Sequence, residues 1–313
     1  MTRRHFASLA LLVPAAPCVT SPARAAPTSP RAGHQRPPEI SRTTPRLPGR
    51  VALTFDDGPY ADKTPKVLDA LGDERSTFFV VGRFITAKTY ALLQRMERDG
   101  HDIGSHSYDH DIAMASRDRS ATRYVHAQHA ITRALIQIAL LATSAEDFED
   151  LHRSVLGISS AARLPRHTLA ARAGEIERRV RGVCRDRGWA ASAGRYSVRH
   201  SRPPGGGPYL GRARRLQARY DRALRELEMT NVLWHADTGD ARPTRAARDA
   251  RRIAARMAAA GRRGGVLLGH DFIPVRGLQM GLKRLRDDGV TIESLDEAFQ
   301  RQRDASASPV RRD

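Results

Sequence analysis

The chain of 313 residues has few cysteines, few aromatic residues and few acidic residues for its number of basic ones. It contains two cysteines, Cys18 and Cys184, and Cys18 falls in an N-terminal segment that we expect to be removed. An intramolecular disulfide and a thiolate metal cluster are therefore excluded for the mature chain. Aromatic residues make up 5% of the sequence and hydrophobic residues 40%, a globular composition with few large rings. The length of 313 residues is enough for one large domain or two small ones.

Long hydrophobic runs are also missing. No stretch offers the roughly 18 uninterrupted apolar residues that a transmembrane helix requires. The sequence thus excludes a membrane-spanning protein, and we expect no stable membrane insertion.

The charge is unbalanced, because 53 basic residues face 34 acidic ones and give a net charge of +19. Only four of the basic residues are lysines, so the excess is almost entirely arginine. A charge of this kind is typical of proteins with a polyanionic partner, either nucleic acid or an acidic polymer. The arginines are scattered, however, and no nucleic-acid-binding motif gathers them. We expect no nucleic-acid partner, and we interpret most of the arginines as solvated surface residues.

Residues 1–25 have the pattern of an export signal, with a basic start, an apolar run over 6–16 and a small-residue cleavage site over 23–25. The start also resembles a twin-arginine signal, and an ordinary secretory signal fits equally well. We therefore expect an exported protein, periplasmic or extracellular. Residues 26–49 contain six prolines and little apolar periodicity, which predicts a flexible tether, with folding from about Arg50.

The rest of the chain alternates between strand and helix patterns. Short apolar runs predict strands at 51–55, 77–81, 101–105, 232–234, 265–269 and 290–292. Helical periodicity predicts helices at 65–71, 90–98, 119–142, 145–156, 167–187, 209–228, 243–260 and 275–288. The alternation predicts an α/β fold with a parallel sheet, and acids, histidines and glycines follow the strands, where a TIM barrel carries its active site. A catalytic domain over 50–300 and a frayed polar tail over 301–313 follow from this pattern.

Two motifs indicate a metal site. Asp56 and Asp57 follow the first predicted strand, so that one carboxylate can hold a metal while its neighbour receives a proton; an acidic turn is the simpler reading. His106 and His110 have the i, i+4 spacing that places two imidazoles on one face of a helical turn. With one carboxylate they form a two-histidine, one-carboxylate set that leaves positions for water and substrate, as catalytic zinc requires. We interpret another close pair, His126 and His129, as structural.

Three later segments carry polar groups at strand ends or turns. Arg202 begins an Arg-Pro-Pro-Gly turn, Asp240 closes a loop with two carboxylates, and His270 ends an apolar strand. Each segment alone has an ordinary structural explanation. Together and in this order, the five segments resemble the polysaccharide deacetylases of carbohydrate esterase family 4. The first motif, Thr-Phe-Asp-Asp-Gly-Pro, matches the family letter for letter, the second matches its His-Ser/Thr-x-x-His motif, and the other three match in part.

The resemblance implies a distorted (β/α) TIM-like barrel and a role for each matching residue. The implied metal ligands are Asp57, His106 and His110, and the implied ion is a divalent metal, usually Zn²⁺. The implied catalytic residues are Asp56 as general base held by Arg202, and His270 as general acid oriented by Asp240. The backbone amide of Gly205 falls at the position of an oxyanion-hole donor, and Leu268 at a wall of the acetyl pocket.

The sequence departs from the family pattern in three places. Gly205 stands where the third motif has an aromatic residue, and Ala241 stands where the fourth motif has tryptophan. Both losses put substrate specificity in doubt more than catalysis. The gap between His110 and Arg202 is longer than usual and predicts an inserted helical block at about 115–198, which caps the cleft, binds a partner or pads the barrel rim.

From the resemblance we expect an exported, metal-dependent hydrolase that removes N-acetyl groups from a polysaccharide such as peptidoglycan or chitin-like oligomers. Its partner is then an acetylated glycan. Two alternatives stay open: an O-acetyl esterase acting on xylan-type glycans, and a non-catalytic glycan-binding protein that keeps the metal site. The sequence leaves the exact glycan, the metal in the cell, the oligomeric state and the export route undetermined.

Overall fold

The computed structural model describes residues 46–307 except 117–120, 190–197, 211–212 and 242–248. The strands are β1 (Arg50–Asp56), β2 (Thr77–Val80), β3 (Asp102–Ser105), β4 (His200–Ser201), β5 (Thr230–Asn231), β6 (Ala236–Asp237), β7 (Gly265–His270) and β8 (Thr291–Glu293). The helices are α1 (Thr64–Leu71), α2 (Tyr90–Arg98), α3 (Ala121–Leu141), α4 (Ala145–Leu156), α5 (Arg166–Asp186), α6 (Arg214–Glu226), α7 (Ala250–Arg263), α8 (Val275–Asp287) and α9 (Leu295–Ala307). The export signal and the tether up to residue 45 lie outside the described residues.

All the strand pairings are parallel and form one sheet in the order β5-β4-β3-β2-β1-β7-β6, with β8 paired to the start of β1. The two edge strands, β5 and β6, follow one another in the chain with only residues 232–235 between them. A segment of that length spans at most about 18 Å, so the sheet curls until its edges approach each other. The expected distorted (β/α) barrel is thereby confirmed.

The residues of β1 alternate between the two faces of the curled sheet. Val51, Leu53 and Phe55 belong to the larger core cluster, together with buried residues of the surrounding helices. Ala52 belongs to a smaller cluster inside the barrel. Thr54 and Asp56 continue the Ala52 face, so β1 leads from an apolar floor to a polar site in steps of two residues.

The floor of the barrel is filled by α9. Its buried Leu295, Ala298 and Phe299 share the smaller cluster with interior residues of the strands. Those strand-side residues are Ala52, Phe79, Val232 and Val266, with Trp234 packed against them. The last described helix is therefore part of the barrel interior rather than an outer layer.

The predicted helical block contains three helices, α3, α4 and α5. Most of α3 is buried, on more than one side, because it packs against α2, α4, α5 and α6. The block is thus organised around α3, a central helix that exposes fewer residues to solvent than an ordinary amphipathic helix does.

Three predictions need correction. Residues 232–234 are not a strand: the Val232 N–H bonds the Ser201 carbonyl at 2.9 Å, and the segment then crosses between the sheet edges. The tail predicted at 301–313 is helical to residue 307, because Arg301 pairs with Glu293 at 2.5 Å; residues 308–313 are not described. Residues 46–49, assigned to the tether, contact the domain, since the Gly49 N–H bonds the Gly261 carbonyl at 3.0 Å.

Helix bounds differ from the predictions chiefly near the cleft. The predicted helix 209–228 begins at Arg214, because the N–H groups of Tyr209 and Leu210 close a turn on the Gly206 carbonyl. The start predicted at Pro243 lies outside the described residues, and α7 begins after Asp249, whose side chain accepts from two backbone N–H groups. Among the described helices, none combines the length and apolar character needed to cross a membrane. Cys184 is a free, buried thiol.

Candidate active site

The strands deliver the predicted polar residues to one end of the barrel. Asp56 ends β1, with Asp57 directly after it, and His270 ends β7 beside β1. His106 directly follows β3 and Arg202 directly follows β4, the strand next to it. Because parallel strands end at the same edge of the sheet, these side chains meet at its C-terminal rim.

Asp57, His106 and His110 form a group whose potential ligand atoms all lie within 4.8 Å of one another. The Asp57 Oδ1 atom is 3.1 Å from His110 Nε2 and 3.4 Å from His106 Nε2. His106 is buried, whereas the side chains of Asp57 and His110 are partly exposed. The group is therefore fixed at its base and open toward solvent, where a substrate can approach.

The two imidazoles do not meet on a helical turn as the sequence suggested. Residues 106–110 form a loop, and Ser107 and His110 have positive φ values of 70° and 59°. Asp57 also has a positive φ, of 78°. Such conformations are uncommon for residues with a Cβ and concentrate at functional sites. The loop geometry brings the His106 and His110 ring centroids to 5.0 Å.

The surroundings of His106 define which ring nitrogen faces Asp57. His106 Nδ1 lies 2.9 Å from the Arg202 carbonyl oxygen, which can only accept, so Nδ1–H donates and Nε2 is the nitrogen that faces Asp57. Metal-ligating histidines typically have an outer partner of this kind. Burial would raise the pKa of Asp57, but the neighbouring imidazoles hold it well below its ordinary value, so the carboxylate is ionised.

These residues fit a divalent cation. Asp57 Oδ1 is a buried oxygen without a hydrogen-bond partner among the described residues, although it lies between two imidazole nitrogens. Two imidazole nitrogens and one carboxylate, with a solvent-facing side, form the donor set of catalytic zinc and of other two-histidine, one-carboxylate centres.

Asp56 is held in place by a fully buried arginine. Arg202 is 0% exposed, and its Nη1 donates to Asp56 Oδ1 and to Thr54 Oγ1, both at 2.8 Å. Its Nε donates to the Val232 carbonyl at 2.9 Å, and the guanidinium lies 4.2 Å from the centroid of the Phe79 ring. The other carboxylate oxygen, Asp56 Oδ2, faces the metal group, 3.7 Å from His106 Nε2. One oxygen is thus fixed and the other is directed at the reaction space.

His270 and Asp240 form a second pair across the site. His270 Nδ1 lies 3.0 Å from Asp240 Oδ1, and the His270 N–H donates to Asp240 Oδ2 at 2.9 Å. Burial would lower the pKa of His270, but the hydrogen bond and charge of Asp240, with the charges of Asp56 and Asp57, raise it to about 9. At neutral pH the imidazole is therefore protonated, and its Nε2–H is left for a substrate.

The structure also locates the remaining predicted residues. Gly205 lies in a 3₁₀ turn after Arg202 with φ 60°, a conformation that suits glycine. Leu268 is buried on β7, two residues before His270 and opposite Thr54 on β1, so it faces the barrel interior one layer below His270. Its role as an acetyl-pocket wall and the oxyanion role of Gly205 stay predictions.

The helical block contacts the metal-ligand loop directly. From α3, Gln128 Oε1 accepts the N–H groups of Tyr108 and Asp109 at 2.8 and 3.1 Å, and its Nε2 donates to Asp109 Oδ1 at 2.7 Å. Arg166, the first residue of α5, donates to Asp109 Oδ2 at 2.6 Å. These contacts show that the block supports the loop 106–110, a role that the sequence did not suggest, whereas capping the cleft, binding a partner and padding the rim stay predictions.

Sequence reasoning missed one buried carboxylate near the site. Asp271 accepts from the Thr64 hydroxyl at 2.5 Å and fills the space beside Gly58, where a Cβ would lie 1.7 Å from its Oδ2. Burial, opposed by the Thr64 hydrogen bond and reinforced by the charges of Asp57 and Asp56, raises the pKa of Asp271 to about 7. Its place directly after His270 was the available signal.

His129, which the sequence suggested to be structural, is a buried link behind the site. Its Nδ1 lies 2.8 Å from Ser105 Oγ and its Nε2 lies 2.6 Å from the Tyr220 hydroxyl. Burial lowers the pKa of His129 to about 3, so the ring is neutral. It joins α3 and α6 to the residue before His106.

A second group with metal-ligand chemistry, Asp102, His200 and Asp296, lies at the other end of the strands. His200 Nε2 is 2.8 Å from Asp296 Oδ1, and Asp102 Oδ2 accepts the Asp296 N–H at 2.8 Å. These contacts attach the start of α9 to β3 and β4, which accounts for the group without an ion.

Comparison with known proteins gives consistent matches. The family model described as "Polysaccharide deacetylase" matches residues 44–192. The peptidoglycan-N-acetylglucosamine deacetylase PgdA of Listeria monocytogenes is 48% identical over 63 residues, covering 20% of this chain and 13% of that protein. A chitin deacetylase of Colletotrichum lindemuthianum is 45% identical over 87 residues, covering 25% of this chain and 35% of that protein. The chain thus spans about a third or less of the length of these two relatives.

The fold is shared more widely than the sequence. The structure of the peptidoglycan deacetylase PdaC from Bacillus subtilis covers 82% of this chain and 94% of its own, with a TM-score of 0.51 and 21% identity. The likeness to this solved structure concerns the barrel fold.

Proposed function

Given that this chain belongs to the polysaccharide deacetylase family, we propose that it is a metal-dependent hydrolase that removes N-acetyl groups from a glycan and releases acetate. The observation that carries the proposal is the complete set of charged groups around one open position. Asp56 and His270 approach that position from neighbouring strand ends, and Asp57 with the two histidines forms its base.

Asp57, His106 and His110 would hold the divalent ion, and Zn²⁺ is the ion that we propose. When bound, it supplies Lewis-acid activation of a water and of the acetamide carbonyl. The hydrogen bond from His106 Nδ1–H to the Arg202 carbonyl fixes the ring with Nε2 toward the ion. The ionised Asp57 contributes the negative charge of the set.

Asp56 accepts the proton of the attacking water. Arg202 occupies its Oδ1, so Oδ2 is the oxygen available for that transfer. The buried guanidinium also places a positive charge 2.8 Å from Asp56 Oδ1. A fixed base with one free oxygen reduces the alternatives for proton transfer.

His270 donates a proton to the leaving nitrogen as the C–N bond breaks. An amine is a poor leaving group without that proton, and the raised pKa of His270 keeps the acid form populated at neutral pH. Asp240 binds Nδ1, so the Nε2 proton is the one that moves. The Thr238 hydroxyl donates to Asp240 Oδ1 at 2.7 Å and holds that carboxylate.

The substrate that we propose is N-acetylated polysaccharide of the peptidoglycan or chitin type. The named relatives, a peptidoglycan-N-acetylglucosamine deacetylase and a chitin deacetylase, support this class. The protonated His270 supports N- over O-deacetylation, since an alkoxide leaving group needs less acid assistance than an amine. Export to the periplasm or the exterior, which residues 1–25 predict, would bring the enzyme to such polymers.

Acetate release is the direct test. Metal-free protein should be inactive on N-acetylchitotetraose and peptidoglycan fragments, and added Zn²⁺ should restore release; acetylated xylan tests the esterase alternative. Asp56→Asn should lower kcat at least about a hundredfold, because it removes the proton acceptor. Asp62→Asn, which changes an exposed acid, is the matched control. A folded, metal-loaded protein that releases no acetate from any of these glycans would refute the proposal.

A non-catalytic glycan-binding protein is the second candidate, because Gly205 and Ala241 stand where the family has aromatic residues. In that case the wild type would show no turnover. The Asp56→Asn variant would then bind N-acetylchitotetraose as tightly as the wild type in calorimetry.

A further inference from the structure

Two large apolar side chains are exposed beside the active site. Among the described residues, the exposed large hydrophobic ones are Leu47, Ile112, Leu210 and Met280. Ile112 and Leu210 are each 67% exposed, much more than the other two. They belong to different loops, one after β3 and one after β4. Exposed apolar groups that cluster, unlike single scattered ones, mark a surface for a ligand or partner.

The glycine turn over residues 205–207 connects these two loops. A Cβ on Gly205 would lie 3.6 Å from Ile112 Cγ2, an ordinary van der Waals contact, so Ile112 borders the space that a side chain at 205 would enter. A Cβ on Gly207 would lie 3.2 Å from the Ile112 carbonyl oxygen. The loop after β3 therefore packs directly against the turn.

Leu210 covers the other side of the same turn. A Cβ on Gly206 would lie 2.7 Å from Leu210 Cγ and 2.9 Å from Trp234 Cη2, so only glycine leaves room for both side chains. The Leu210 N–H bonds the Gly206 carbonyl at 3.1 Å, which fixes the residue that carries the exposed side chain. The turn thus has Ile112 on one side and Leu210 on the other.

This surface adjoins the proposed reaction site along both loops that carry it. Ile112 lies two residues after the metal-site residue His110, and Gly205 lies three residues after Arg202. A glycan chain whose acetamido group reaches the metal site must extend beyond it in at least one direction. The apolar surface beside the turn offers the C–H face of a neighbouring pyranose ring a place where water is displaced from both partners.

We propose that Ile112 and Leu210 form a sugar platform that receives the C–H face of the pyranose next to the one being deacetylated. The platform makes the enzyme select oligomers over the single sugar. Two aliphatic side chains from flanking positions thus replace the aromatic side chain that the family has at the position of Gly205. This inference rests on the proposed deacetylase function and assigns its specificity to two named residues.

The test compares a tetramer with a monosaccharide. Ile112→Thr keeps the β-branched shape and adds a hydroxyl, and Leu210→Asn keeps a similar size while removing the apolar end. Loss of an apolar contact with the substrate costs about tenfold or more in kcat/KM. The double variant should show that loss on N-acetylchitotetraose, mainly through KM, and an unchanged kcat/KM on N-acetylglucosamine. Met280→Gln, an exposed apolar residue of α8, is the matched control and should change neither value.

Three results would overturn the platform. In the first, the double variant keeps the wild-type ratio of kcat/KM on the tetramer to kcat/KM on the monosaccharide. In the second, both substrates lose activity equally, which would mean that the turn has moved. In the third, the wild type sediments as a dimer that the double substitution dissociates, which would make the patch an interface between copies. If the wild type releases no acetate, the deacetylase proposal fails separately. Calorimetry with N-acetylchitotetraose then tests the platform, whose loss must weaken binding about tenfold if it contacts a sugar.

Discussion

At the scale of single residues, two carboxylates of the site differ in the cation that binds them. Asp56 is bound by the buried Arg202, and Asp240 is bound by the His270 imidazole. An arginine stays charged under all ordinary conditions, so the cation beside Asp56 does not change with pH. An imidazole can gain and lose its proton, so the second pair can deliver one. The base and acid roles proposed for Asp56 and His270 are consistent with this difference between the two cations.

The His270–Asp240 pair predicts a measurable pH dependence. Because the pKa of His270 is raised to about 9, kcat/KM should fall on the alkaline side near that pH, where the acid form is lost. Asp240→Asn removes the main group that raises this pKa and leaves burial, which lowers it. The alkaline limb should then move down by more than about one pH unit. Asp62→Asn should leave the limb in place, and an unshifted limb in Asp240→Asn would show that another group donates the proton.

Protonation of His270 also stabilises the folded protein, so stability should fall with rising pH as activity does. The folded-state pKa of His270 lies above its ordinary value of 6.5, so its protonation stabilises the fold fully below pH 6.5. That contribution decreases as the pH rises and is absent above about pH 9.

At the scale of elements, α3 acts on the metal-ligand loop through one side chain. Gln128 satisfies two buried N–H groups of the loop 106–110 and binds the carboxylate of Asp109, the residue before His110. The loop contains positive φ values that its own sequence does not favour. The helix therefore stabilises a conformation that the isolated loop would rarely adopt.

Gln128→Leu should weaken metal binding while the barrel stays folded. Loss of this outer support should lower Zn²⁺ affinity about 10- to 100-fold, as for other second-layer partners of metal ligands. Competition with a chromogenic chelator measures the affinity, and circular dichroism checks the fold. Gln137→Leu changes another buried glutamine of the same helix, nine residues away, and should leave the affinity unchanged. Equal losses in the two variants would mean that α3 acts only through general stability.

The predictable part of this site was local, and the unpredictable part was long-range. Short motifs at strand ends contain Asp56, Asp57, His106 and His110. The sequence therefore predicted that these four side chains lie in one site. The reason offered for the histidine pair was wrong, however, because positive φ values and not a helical turn unite the imidazoles. Gln128 lies about twenty residues beyond the loop on a helix whose periodicity predicts only burial, so its contacts could not be derived.

The same distinction holds for the fold. Apolar runs predicted β1 and β7 within one or two residues, because a buried strand of six or seven residues has a clear pattern. The two-residue strands β4, β5 and β6 leave almost no pattern. Their positions depend on how the sheet curls, which is a property of the whole barrel rather than of any short segment.

At the scale of the whole molecule, a series of packed side chains connects α9 with the candidate active site. Phe299 of α9 packs in the floor cluster with Phe79, and Phe79 lies under the Arg202 guanidinium that holds Asp56. The interior of the curled sheet is densely packed, so a change at the floor is transmitted to the layer above.

Phe299→Ala should therefore reduce both stability and activity. Removing a buried phenylalanine costs about 3–5 kcal/mol of unfolding free energy, which urea titration can measure. The variant should also lose kcat at temperatures well below its unfolding midpoint, because water reaches the Arg202–Asp56 pair from below. The control is Phe148→Ala, which removes a fully buried phenylalanine of α4 outside the floor cluster. It should destabilise the protein without the same loss of kcat in the folded state, and a matching loss would refute the coupling.

The helix that fills the barrel floor also imposes an order in time. Synthesis proceeds from the N-terminus, so Asp57, His106 and His110 emerge well before α9, which follows more than 180 residues after His110. The residues of the candidate metal site and the helix that fills the barrel floor therefore belong to early and late parts of the nascent chain. The chain can thus present these three side chains long before α9 completes the barrel interior below Arg202.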